Sequence, residues 1–244
     1  AMSVNHEITD FFRQNELLFV DEIDRLRRQP SLVSVCPGNA LQNGGWLFMA
    51  AESASGDWNL ARLLGDPHGA IEALGRLPDV ESQLLVPEPV ARLFARQLLP
   101  QPALLNFVDA EVNDYAVSNG NSLPTGFNIE IRFARPLAAS AAVDATLADQ
   151  LSVFLLADGQ VQGYVKTIRH SQNFSEVYIE LKPAVRGRGL APELLRQAVL
   201  ALRSRHRRLF YSVSADNAPS LATARRVGLQ PAFKLARFLK PQSG

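Results

Sequence analysis

Between Val185 and Val199 the chain reads VRGRGLAPELLRQAV, with two arginines and two glycines set just before an apolar-periodic run. That run carries Leu190, Leu194, Leu195, Ala198 and Leu202 on one face and predicts a helix to about Ser204. A helix start leaves backbone N–H groups without partners and carries the positive end of the macrodipole. Glycines ahead of it let the backbone curl tightly and let a bulky anion come close. Together they make a cradle for phosphate oxygens, to which Arg186 and Arg188 add charge. Arg186 can also hydrogen-bond the end of the preceding strand and fix the loop. The same residues suit a tight turn with solvated arginines, and the turn alone does not choose between the two. No Gly-Lys-Ser/Thr follows, so the turn is not a P-loop, and Pro192 stands where a dinucleotide fingerprint needs a small residue.

A second set of candidates lies just upstream. Glu176, Tyr178 and Glu180 alternate, so on a strand they share one face and offer a base. A shift of one residue in that reading puts Ser175 in the row instead. His170 precedes them, a base near neutral pH. The run Arg203-Ser-Arg205-His-Arg207-Arg208 closes the helix, where basic residues suit the negative end of the dipole. It is read as a solvated face, or else as a contact for an acidic group.

These residues need a scaffold, and the second half of the chain supplies a regular one. Phe127 to Ala134 alternates as a half-buried strand, Ala138 to Asp149 is alanine-rich and helical, and Asp158-Gly159 marks a hairpin between Leu151–Leu156 and Val161–Ile168. Glu176–Lys182, Leu209–Val213 and Phe233–Leu239 read as further strands, and Asn217 to Val227 as a helix ended by Gly228. In the first half, Glu7 to Gln29 reads as a helix, Trp46–Ala51 as a strand, Pro67–Arg76 as a helix and Gln83–Val86 as a strand. Pro87–Leu99 reads as a helix and Ala103–Val112 as a strand. Asn119 to Gly126 is dense in turn formers and sets the boundary between domains at residues 1–125 and 126–244. The expected class is α/β, a mixed sheet flanked by helices.

Composition bounds the rest. The chain has 244 residues, 47% hydrophobic and 20% charged, with a formal net charge of +1. That supports a sizeable core and argues against bulk nucleic-acid binding. Cys36 is the one cysteine, read as a small buried residue, and a reducing, cytoplasmic setting is expected. His6, His68, His170 and His206 form no zinc pattern, so no metal is expected. No apolar run approaches a membrane span and no leader is evident; with Ala1 ahead of Met2, the natural chain is expected to start at Met2.

Arg186-x-x-Gly189-x-Ala191 after a strand resembles the acyl-CoA pyrophosphate loop of the GNAT N-acetyltransferase superfamily. The lead-in Leu181-Lys-Pro183-Ala-Val-Arg186 resembles the run that usually precedes it. Downstream, Asp216-Asn217-Ala-Pro-Ser220-Leu-Ala-Thr-Ala224-Arg-Arg-Val-Gly228-Leu229 resembles the family's other signature. The resemblance covers about Phe127 to Leu239. It implies acetyl-CoA as cosubstrate and direct attack of an amine on the thioester while both are held in one cleft. By the resemblance, the backbone of Val185, Arg186, Gly187, Arg188, Gly189, Leu190 and Ala191 carries the pyrophosphate. A backbone N–H near Leu181 polarises the thioester carbonyl. Asn217 and Ser220 lie along the pantetheine arm, although helix capping also explains both. Glu176 is the first candidate for the base and Tyr178 the second. Many members place a tyrosine acid where this chain has Ala224, and Tyr211 on the neighbouring strand is the substitute.

The first half resembles the degenerate N-terminal half of some two-part GNAT proteins, by order of elements only. Gly65-Asp66-Pro67 replaces the Arg-x-x-Gly turn, and Asp66 would repel a phosphate, so one CoA site is expected. Two other readings stand beside this one: a sensor that binds acyl-CoA without turnover, which the missing tyrosine favours, and a protein-interaction module in which the fold is a relic.

Overall fold

The protein is described here by a computed structural model covering residues 6–29, 32–36, 46–51, 59–64, 82–110, 123–134 and 150–241. It divides into two compact units that are not contiguous in sequence. One comprises Ala1–Leu105, Ser214–Asp216 and Phe233–Gly244, the other Asn106–Val213 and Asn217–Ala232. The helices expected at 67–76 and 138–149 lie outside the described residues. Among the described residues no helix is long and apolar enough to cross a membrane.

In the first unit, β1 (Val33–Cys36), β2 (Trp46–Ala51) and β3 (Asn59–Leu64) form an antiparallel meander. β3 pairs in parallel with β4 (Ser82–Pro87), and β4 pairs antiparallel with β11 (Gln230–Lys240). Ala61, Leu63, Leu84 and Val86 alternate onto one face, where they bury against Phe94, Leu98 and Phe238. Leu60, Leu85 and Leu235 take the other face. The expected helix from Glu7 to Gln29 is two helices, α1 (His6–Gln14) and α2 (Val20–Arg28). Asn15 breaks it: its φ of −118° leaves the helical region and its amide donates to the Phe11 carbonyl, after which Glu16–Phe19 continue as a 3-10 turn.

Pro87–Leu99 is likewise not one helix. A 3-10 turn and the single turn α3 (Ala91–Phe94) end where the Phe94 carbonyl accepts both the Gln97 and Leu98 N–H groups. β5 (Leu99–Val108) then starts four residues earlier than expected, with Pro100 and Pro102 in its first residues, where a missing N–H costs little. The short strands β1 and β3 carry no sequence signal strong enough to announce them.

The second unit follows the sequence closely. Its sheet runs β10-β9-β8-β7-β6, with β6 (Phe127–Ala134), β7 (Gln150–Ala157), β8 (Gln160–His170), β9 (Phe174–Leu181) and β10 (Arg208–Ser214). All neighbours are antiparallel except β9 and β10, which are parallel. Asp158 and Gly159, both at positive φ, make the two-residue turn of the β7–β8 hairpin. Leu151, Val153, Leu155, Val165 and Val177 line one face and are nearly solvent-free. Against β7, β8 and β9 packs α4 (Leu190–Arg203), burying Leu190, Leu194, Leu195, Ala198 and Leu202. α5 (Ala218–Val227) packs on α4 and ends at Gly228 in the left-handed conformation.

Candidate functional site

Two features of the second unit meet at the end of β9. The ladder between β9 and β10 runs from Phe174↔Arg208 to Glu176↔Phe210, while β9 continues to Leu181 and β10 to Ser214. Beyond that register the two strands present edges without a shared ladder. The Lys182 N–H bonds the Gln162 carbonyl on β8 at 2.8 Å. Since successive N–H groups alternate sides along a strand, those of Leu181 and Ile179 face the opposite edge, toward the gap. Gly163 on β8 lies across from Leu181, and a Cβ there would sit 2.8 Å from the Glu180 carbonyl oxygen, so only glycine lets the strands come this close.

From Leu181 the chain enters the glycine-arginine turn. Val185 N–H bonds the Lys182 carbonyl and Arg186 N–H the Pro183 carbonyl, at 3.1 and 3.2 Å. Arg186 Nε donates to the Leu181 carbonyl at 2.9 Å, which ties the turn to the strand end as its sequence position suggested. Gly187 and Gly189 both take positive φ, 76° and 75°, and Gly189 is the N-cap of α4 with no side chain capping it. The donors left at the helix start therefore run from Gly187 to Ala191, a narrower set than the whole turn. Beside them is a cavity of about 340 Å³ lined by Leu123, Pro124, Arg188, Gly189, Leu190, Glu193 and Arg226. A Cβ on Gly189 would lie 3.7 Å from the Arg226 guanidinium. Arg226, absent from the sequence expectations, thus adds a second cation, and only the fold brings it to the turn. Glu193, the acidic wall residue, is tied to Arg196 and to Gln197. Helix-start donors, two arginines and glycine access fit a pyrophosphate.

The base candidates separate. Glu176, Tyr178 and Glu180 share a face as expected, but Glu176 is only 5% exposed and its Oε2 accepts from Arg169 Nη1 at 3.0 Å. Tyr178 is 45% exposed. Ser175 lies on the other face, where its hydroxyl meets His170 Nδ1 at 3.0 Å and Arg207 Nε at 2.8 Å. His170 is buried there, paired with Ser175 and on the face opposite the Glu176 row. Arg207 also donates to the Ser171, Gln172 and Phe174 carbonyls, so this member of the basic run clamps the β8–β9 loop.

On β10, Tyr211 takes the opposite face to Phe210 and so stands outside the Glu176 row. Burial pushes its phenol pKa up, a hydrogen bond with Ser220 pulls it back, and nearby Tyr178 adds to the rise. The phenol stays protonated through the neutral range. Asn217 caps α5, its Oδ1 accepting the Ser220 N–H at 3.2 Å. Ala224 is fully buried, with the surrounding core closed over it.

Residues 125–229 match the family described as acetyltransferase (GNAT). A GCN5-related N-acetyltransferase from Kribbella flavida superposes with a TM-score of 0.61 at 15% identity, over 100% of this chain and 98% of its own. A GCN5-related N-acetyltransferase-like protein from Streptococcus suis gives 0.59 at 15%, over 95% and 99%. A tandem GNAT protein from the clavulanic acid biosynthesis pathway, solved without AcCoA, gives 0.60 at 17%, over 92% and 88%. At these identities the likeness is one of fold. It extends across both halves and fits a two-half architecture. No curated protein matches the chain.

Proposed function

Residues 125–229 form a domain of the acetyltransferase (GNAT) family, and from that premise we propose that the protein moves an acetyl group from acetyl-CoA to an amine by direct attack. The observation that carries the reading is the helix start at Gly187–Ala191, facing a cavity with Arg188 and Arg226 in its wall. Those N–H groups and guanidiniums hold the pyrophosphate, with Asn217 and Ser220 beside the pantetheine arm. An N–H on the gap edge of β9, that of Leu181, polarises the thioester carbonyl as negative charge grows on its oxygen.

The acceptor arrives as an ammonium and must lose a proton before its nitrogen lone pair can attack. Glu176 takes that proton, with Arg169 fixing its carboxylate and Tyr178 next in the row toward the gap. As the C–S bond breaks, the thiolate takes a proton from Tyr211, whose buried phenol holds one at neutral pH, and the second proton released by the attacking nitrogen passes through solvent to restore the phenol. Of the sequence domains 1–125 and 126–244, the second then carries the one CoA site. The single cysteine, Cys36, suits a reducing cytoplasmic setting for such a protein.

The binding-only reading draws on one observation, the buried Ala224 in place of a tyrosine. Calorimetric titration with acetyl-CoA and with CoA, followed by an amine screen, separates the two. Saturable micromolar binding with turnover supports transfer, and binding without turnover on any amine supports a sensor. In Gly189→Trp the indole fills the turn, and affinity for CoA is expected to fall at least tenfold. Unchanged affinity in that variant removes the site from the turn.

A further inference from the structure

We propose that Tyr164, Tyr178 and Glu180 form a recognition patch for an alkylammonium group, which makes the acceptor a primary amine on a flexible aliphatic chain. The assignment of this patch to an acceptor rests on the transfer reading above; the patch itself does not.

The β8–β9 register sets four side chains in a square on one face, with Tyr164 across from Glu180 and Lys166 across from Tyr178. The two rings lie 6.3 Å apart and tilted by 44°, open to solvent on the side of Tyr178. The Tyr164 hydroxyl donates to Glu180 Oε2 at 2.6 Å, which fixes the ring and sets a carboxylate at its edge. That carboxylate holds the phenol of Tyr164 well above its ordinary range, up to about 12, so the ring keeps its proton and stays neutral.

One cation already sits on this surface. The Lys166 ammonium is 5.4 Å from the centroid of Tyr164 and 5.9 Å from that of Tyr178, both within cation–π reach. Its side chain is in effect a tethered butylammonium, and its position shows which chemistry the two rings accept. Lys166 is exposed and on a flexible stem, so it can swing away when another ammonium arrives. The patch also lies in the row of Glu176 and beside Leu181. Tyr178 is two residues from Glu176 on this face, and Glu180 adjoins the strand end, so a cation gathered here lies along the row that leads from the gap between β9 and β10 to the proposed base. Tethered in the same place, Lys166 acts as an internal competitor that weakens binding of every amine.

The test follows the tyrosine ring resonances by NMR, with 1,5-diaminopentane as probe and 1,5-pentanediol as its uncharged counterpart, without CoA. The diamine is expected to shift Tyr164 and Tyr178 saturably, and the diol not at all. Lys166→Met is expected to tighten the diamine about two- to fivefold, the size of one exposed cation–π contact, and Glu180→Gln to weaken it by a similar factor. Absence of diamine shifts in both wild type and Lys166→Met overturns the proposal, as does an equal response to the diol. Calorimetry with CoA is read separately. CoA binding without diamine binding sinks the patch alone, and diamine binding without CoA binding sinks the transfer reading while leaving an alkylammonium site.

Discussion

A carboxylate that takes a proton from an ammonium has to be ionised beforehand, and an adjacent guanidinium favours that form. In Glu176, the proposed base, Oε2 accepts from Arg169 Nη1 at 3.0 Å. Glu176→Gln keeps the shape and removes the basicity, so kcat is expected to drop about 10²-fold or more and the acid limb of the pH–rate profile to vanish. If Tyr178→Phe causes the larger loss instead, the base is the second residue of the row. Tyr211 gives a stability test with a definite sign. Its folded phenol binds its proton more tightly than in the unfolded chain, where the ordinary value is 10.0. Above that pH the unfolded state has released a proton that the folded state still holds, so stability falls as pH rises. Chemical denaturation of Tyr211→Phe is expected to show a flatter profile above pH 10 than the wild type. The turn residues were legible because glycine and arginine at a helix start have a local physical meaning. Arg226 was not, since its neighbours at the turn come from an element distant in sequence, and the Tyr164–Glu180 pair was not, since it depends on the β8–β9 register.

At the scale of elements, Gly163 shows how a strand position depends on its partner. Nothing in Val161–Tyr164 distinguishes that glycine until β8 is laid against β9, where any Cβ meets the Glu180 carbonyl. Gly163→Ala is expected to cost about 1–3 kcal/mol by overpacking, measured by denaturation. CoA affinity should fall with it, because the displaced strand end carries the carbonyl that Arg186 grips. The hairpin at Asp158-Gly159, the α4 face and the Gly228 stop were all readable because each rests on local chemistry. The break at Asn15 comes from its own side-chain bond to Phe11, which helical periodicity does not record, and the short strands β1 and β3 depend on packing that the periodicity of their residues could not show. A second element-scale test lies in α2. Glu22 is fully buried and bonds Arg62 of β3 at 2.8 Å, with the Arg62 guanidinium 4.8 Å from the Phe19 ring. Burial pushes the Glu22 pKa above 4.5 despite its partner, so it costs stability as pH rises past that value. Arg62→Met alone strands a buried carboxylate and is expected to cost about 3–5 kcal/mol. The double variant Glu22→Leu with Arg62→Met should recover much of that loss in thermal melts.

Across the whole molecule, sequence order and compact units do not coincide. The α/β class and the mixed sheet were readable from the alternation of elements. The assignment of the last strand was not, because a strand's pattern records which face is buried and not which neighbour it pairs with. β11 pairs with β4 from Leu235↔Pro87 to Lys240↔Ser82, and Phe238 completes the cluster around Phe94. A sheet whose missing partner arrives so late has a consequence for synthesis. When β4 leaves the ribosome, the strand that covers its edge is still about 150 residues from being made, a wait on the order of ten seconds at typical elongation rates. During that interval the first unit carries an unpaired edge and an open core, the state in which nascent chains are captured by chaperones or pair wrongly with each other. The first unit is therefore expected to stay sensitive to protease on stalled ribosomes until Lys240 has emerged, and then to become resistant in a single step.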